Sequence, residues 1–167
     1  DANSYGHSWF FFEQELHMPV SAVPVERLER LRWSEYNTLV FPNGNYNLSD
    51  PALKAIQEWV RQGGRIIAFE GGVKAFADKD GFSLKSKTDE RKDSAATAPQ
   101  PYQSRERDSV SDQVPGAIVE TQVDTTNPLA FGFSGSYFSL KTTSNLFEMP
   151  ANASCALWLG TDFRTLG

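Results

Sequence analysis

The sequence predicts an α/β fold, with a mostly parallel sheet and helices on both faces. Three observations carry this expectation. Short apolar runs alternate with segments of helical period along residues 8–78. One of those helices has strong signals at both ends, Asp50-Pro51 at its start and Gly63-Gly64 at its stop. Finally, an apolar strand runs into a tight turn, Glu70-Gly71-Gly72, from which another helix begins.

The elements follow in order. Residues 8–17, SWFFFEQELH, have the spacing of a helix, with Ser8 as its cap and Pro19 as its end. Val20 to Val23 reads as a short strand. Val25, Leu28 and Leu31 stand three apart, which suits a short amphipathic helix over 25–32. Thr38 to Phe41 is a buried strand, and Pro42-Asn43-Gly44-Asn45 is a turn. In the next helix Asp50 is the N-cap and Pro51 the first helical residue, with an apolar stripe of Leu53, Ile56, Trp59 and Val60. Arg65 to Phe69 is a buried strand, followed by a short helix, Val73 to Asp78. Residues 85–113 have almost no apolar side chains and read as a mobile polar insertion. Strands are expected again at Ala117–Val123, Tyr137–Leu140 and Ala156–Leu159.

The alternation describes one domain over residues 1–167, in the flavodoxin-like order in which the first strand is central. The sequence opens on a helix, however. The expectation is that the central first strand lies upstream of Asp1 and that the chain is a mature or excised fragment.

Composition narrows the function. The chain of 167 residues is 40% hydrophobic and 22% charged, with a formal net charge of −5. This suits a globular domain with no basic face for nucleic acid. The longest apolar run, Trp9 to Phe12, is too short to span a bilayer. A single cysteine, Cys155, excludes an internal disulfide and a thiolate metal cluster. His7 and His17 stand in no zinc-binding spacing.

Ligands of open α/β sheets bind beyond the carboxyl ends of the strands. Three segments should meet there: Asn3-Ser4-Tyr5-Gly6-His7, Asn43-Gly44-Asn45 and Glu70-Gly71-Gly72. The candidate pocket residues are therefore Ser4, Tyr5, His7, Asn43, Asn45, Glu70, Gly71 and Gly72. The last segment has the shape of a nucleophile elbow, a strand leading through a glycine-rich turn into a helix. An elbow needs a thiol or hydroxyl at its tip, and this one offers Glu70 or a glycine. Glu70 itself admits two roles, a general base or ligand-binding carboxylate, or a strand-end carboxylate accepting backbone hydrogen bonds. No catalytic residue and no metal ligand is assigned. The aromatic run Trp9-Phe10-Phe11-Phe12 reads first as core, and second as cover for a neighbouring domain.

Four stretches carry a resemblance: SYGHSWFFFEQELHMPV, LVFPNGNYNLSD, WVRQGGRIIAFEGGVKAFADKDGF and RERDSVSDQVPGAIVETQVDTTNPLAFGF. Together they resemble the C-terminal class I glutamine amidotransferase-like domain of bacterial zinc carboxypeptidases of the carboxypeptidase A superfamily. The resemblance implies a secreted or periplasmic parent metallopeptidase whose zinc and catalytic residues lie in a separate peptidase domain. It implies no cofactor in this chain, and a polar insertion at this place in the domain. It also leaves the amidotransferase cysteine unmatched at Glu70-Gly71-Gly72. Three functions follow as expectations: a non-catalytic accessory domain packing on the peptidase domain or binding substrate or an envelope component; an independent hydrolase built on Ser4, His7 and Glu70; and a small-molecule sensor using the strand-end crevice.

Overall fold

A computed structural model describes residues 1–87, 116–143, 145–151 and 153–160, and the backbone of 165–166. Most of the expected polar insertion, residues 88–113, lies outside the described residues. The chain is mixed α/β and divides into two compact units, Asp1–Phe82 and Ser83–Gly167.

The first unit is built around one βαβ crossover. Strand β1 (Thr38–Phe41) pairs in parallel with β2 (Arg65–Ala68), Leu39 beside Ile66 and Phe41 beside Ala68. Helix α2 (Asp50–Arg61) joins them, as parallel neighbours require a long crossover. Its apolar stripe buries Ala52, Leu53, Ile56 and Trp59. Ala52, Leu53 and Ile56 pack with Leu28, Phe41, Leu48, Ala75 and Phe76 into one core, and Leu39, Ile66 and Ala68 of the strand pair pack against it. The Phe41 and Phe76 rings meet edge-on at 4.9 Å. Trp59 donates its ring N–H to the Tyr36 carbonyl at 3.1 Å, and Gly64 leaves room for its indole. Gly63, at φ 100°, supplies the left-handed stop.

The opposite face is different. Strand geometry alternates side chains, so Ile67 and Phe69 point away from the core, and both are exposed. Helix α1 (Ala2–Phe10) has no buried residue, although it carries Tyr5, Trp9 and Phe10. The first-choice reading of the aromatic run as core therefore fails for Trp9, Phe10 and Phe11, which are exposed, while Phe12 is half-buried.

Several local expectations are corrected. Helix α1 begins six residues before Ser8, because Asp1 caps it by accepting the Asn3 N–H at 3.0 Å. Ser8 lies inside the helix and donates to the Ser4 carbonyl. A wider π turn, Phe11–Glu15, follows before Pro19. Val20 to Val23 forms no strand; Pro19 and Pro24 bracket it, and Val23 packs on the core from an irregular segment. The expected helix over 25–32 is a tighter 3-10 helix, Val25–Arg30, which buries Leu28. Ser49, not Asp50, caps α2, accepting the Ala52 N–H and donating to Glu29 at 2.5 Å. Helix α3 (Gly71–Lys74) starts at the turn itself rather than at Val73.

The second unit does not continue the parallel sheet. Strands β3 (Ile118–Val123), β4 (Ser136–Leu140), β5 (Leu157–Trp158) and β6 (Thr165–Leu166) form a separate antiparallel sheet with β3 in the middle. The link from β3 to β4 holds only one 3-10 turn, Pro128–Ala130, and no crossover helix, so β4 returns antiparallel. Asn127 braces that link while almost fully buried. Its side-chain oxygen accepts the Leu129 N–H, and its NH₂ donates to Ser154 Oγ at 2.6 Å.

Candidate functional site

The parallel strands β1 and β2 end side by side, and their following turns are tied together. Phe69 N–H donates to the Phe41 carbonyl at 2.9 Å, extending the ladder to the brink of the turn. Beyond it, Asn43 Oδ1 accepts the Gly71 N–H at 3.0 Å. The Asn43 N–H in turn donates to Ser4 Oγ at 2.8 Å. A chain of two hydrogen bonds thus joins the first turn of α1, the turn after β1 and the turn after β2. The expected meeting of three segments is present, although residues 3–7 are helical rather than a loop.

The glycines are needed because the backbones touch. A Cβ on Gly71 would lie 2.6 Å from the Gly44 carbonyl oxygen and 2.7 Å from Asn43 Oδ1. One on Gly72 would lie 2.5 Å from the Phe41 carbonyl oxygen. Glu70 carries the bend, at φ 44° and ψ −111°. That conformation is normally occupied by glycine at the first central position of a type II′ turn. It gives the strained strand-to-helix turn that defines an elbow, with an exposed carboxylate at the tip.

The other candidates spread out. Tyr5, His7 and Asn45 are exposed. Among the described residues no hydrogen bond or ion pair joins Ser4, His7 and Glu70. Cys155 belongs to the second unit, where its thiol donates to the Leu157 carbonyl at 3.0 Å. The sequence reading missed Tyr46, whose hydroxyl donates to the Pro42 carbonyl at 2.9 Å and whose ring flanks Gly44. Burial raises its pKa above the ordinary phenol value. The signal available was its place four residues after Pro42, on the same turn.

Chemically, the cluster presents an exposed carboxylate beside two bonded polar groups. It contains no thiol, and the Ser4 hydroxyl already accepts a hydrogen bond. Among the described residues no three His, Cys, Asp or Glu side chains lie together. A cavity of about 550 Å³ lies elsewhere in the first unit, lined by Glu26, Arg27, Glu29, Arg30, Arg32 and Glu35 among others. Its charges are mixed and partly paired, Arg32 with Glu35 at 3.0 Å. None of the described helices is long and apolar enough to cross a membrane. No protein-family model, curated protein or solved structure matches the chain.

Proposed function

We propose that this chain is a non-catalytic accessory domain of a secreted or periplasmic zinc metallocarboxypeptidase, packing on the peptidase domain through its first unit. The observation that supports it most is helix α1. It is an ordered helix without a single buried residue, and Tyr5, Trp9, Phe10 and Phe11 are 42–52% exposed on it and on the turn that follows. Apolar surface of that kind marks an interface. The parallel pair β1 and β2 agrees, since parallel sheets are ordinarily covered on both faces and Ile67 and Phe69 are open. On this reading the first unit is part of a flavodoxin-like sheet, and a further parallel strand completes it beside β1.

Glu70 fits the accessory role. It holds the backbone conformation of an elbow but supplies no nucleophile. The competing hydrolase reading needs Ser4, His7 and Glu70 to act together, and the bonds of Ser4 run to Asn43 and within α1 instead. The test is an assay of the purified chain on carboxypeptidase peptide substrates and on glutamine. No turnover above a denatured control is expected; robust turnover abolished by Glu70→Gln or Ser4→Ala would overturn the proposal.

A further inference from the structure

The strand-end junction contains a reactive pair. Asn43-Gly44 is the one Asn-Gly step in the sequence. An asparagine amide in that position is open to attack by the next main-chain nitrogen, because glycine carries no β-carbon to hinder ring closure. The other asparagines of the same loop are followed by bulky residues, Asn45 by Tyr46 and Asn47 by Leu48.

The structure holds the two reacting groups differently. The electrophile is tied. Asn43 Oδ1 accepts the Gly71 N–H at 3.0 Å, and the Asn43 N–H donates to Ser4 Oγ at 2.8 Å, so side chain and main chain are each bonded to another segment. The nucleophile is not. Among the described residues the Gly44 N–H has no hydrogen-bond partner. Both residues are half-buried, and water reaches them.

We propose that Asn43-Gly44 is a self-modification site, protected while the junction of α1 and the two turns is closed and reactive when it opens. The Asn43 side chain must leave Gly71 to turn its amide carbon onto the Gly44 nitrogen, so the reaction waits on local opening. It needs only water. The Gly44 nitrogen gives up its proton and bonds to Asn43 Cγ; the Cγ–Nδ2 bond breaks and ammonia leaves, closing an imide. Water then opens the imide at either carbonyl. One opening gives aspartate, which keeps an oxygen for the Gly71 N–H. The other gives isoaspartate, which routes the main chain through the former side chain, lengthens it by a methylene and loosens the tie between the two turns. This inference does not depend on the accessory reading, since it concerns the chain's own chemistry.

Peptide mapping by mass spectrometry tests it on the 167-residue chain, in buffer and in guanidinium chloride at the same mildly alkaline pH, which speeds loss of the Gly44 proton. In denaturant Asn43 should convert and Asn45, in the same loop, should not. In buffer the conversion of Asn43 should be slower by at least about tenfold, equivalent to ~1.4 kcal/mol of opening. Ser4→Ala removes one tie and should speed conversion in buffer about two- to tenfold, equivalent to roughly 0.4–1.4 kcal/mol, with the rate in denaturant unchanged. Gly6→Ala, with open space around it, should change neither rate. The purified isoaspartate product should unfold at lower urea than the unmodified chain. If Ser4→Ala fails to fold, the wild-type comparison decides alone. A wild-type chain that converts as fast in buffer as in denaturant, or a folded Ser4→Ala variant no faster than wild type, overturns the proposal.

Discussion

Replacing Glu70 with glycine should stabilise the first unit, and replacing it with alanine should not. Glu70 stands at φ 44° and ψ −111°, where a β-carbon is strained. Such a conformation costs of order 1–3 kcal/mol. Glycine removes that strain but adds unfolded-state freedom worth roughly 0.5–1 kcal/mol. The net expectation for Glu70→Gly is a gain of about 1 kcal/mol over wild type. Alanine keeps the β-carbon and hence the strain, and the exposed carboxylate it deletes makes no side-chain hydrogen bond or ion pair among the described residues. The glycine and alanine variants should therefore differ by about 1–2 kcal/mol, a comparison that cancels the loss of the carboxylate. Urea unfolding read by tryptophan fluorescence suits the measurement, because Trp33 and Trp59 meet at 5.1 Å, tilted by 41°, in the first unit. A shifted midpoint with constant slope reports stability alone. A glycine variant no more stable than the alanine variant would refute the reasoning and mean that the turn is relaxed.

Three further outcomes are expected. Gly72→Ala should destabilise the first unit by about 2 kcal/mol in the same assay, since overpacking typically costs 1–3 kcal/mol and the new methyl would displace the Phe41 carbonyl that accepts Phe69 N–H; Gly6→Ala, with open space around it, is the control that should not destabilise. Asn127→Ala should cost the second unit about 1–3 kcal/mol, because the Leu129 N–H and the Ser154 hydroxyl lose their partner in the buried amide; unfolding followed at Trp158 measures it, and an unchanged midpoint would contradict the bracing role. Asp124 accepts two hydrogen bonds from Thr126, first from its hydroxyl and then from its N–H, which hold the carboxyl below its ordinary pKa. Its contribution is thus present above the unfolded pKa and lost as pH falls through the lower folded value, and Asp124→Asn should flatten that part of the acid unfolding curve.

The sequence alone determined the βαβ heart of the first unit. Its signals there are local and strong: the Leu53, Ile56 and Trp59 stripe, Pro51 in the first turn, Gly63-Gly64 at the end, and two apolar runs of strand length. The glycines at 71 and 72 were also legible as a tight turn, as was the approach of three segments at the strand ends. Cap identity was less so, because Ser49 and Asp50 are both good capping residues and only the bond to Ala52 N–H distinguishes them. The strand expected at Val20–Val23 failed because apolar spacing cannot show whether a partner strand is within reach.

Tertiary structure decided the rest. Parallel or antiparallel pairing of β3 with β4 depends on what fills the link between them, and no periodicity in β3 reveals it. Whether Trp9, Phe10 and Phe11 are core or surface depends on what packs against them, since a side chain's burial belongs to its neighbours rather than to its own spacing. The elbow shows both halves of the lesson. Sequence placed Glu70 at a strand-to-helix turn, but its positive φ accompanies a close approach of Gly71 and Gly72 to Asn43, Gly44 and Phe41, contacts that join residues about thirty positions apart.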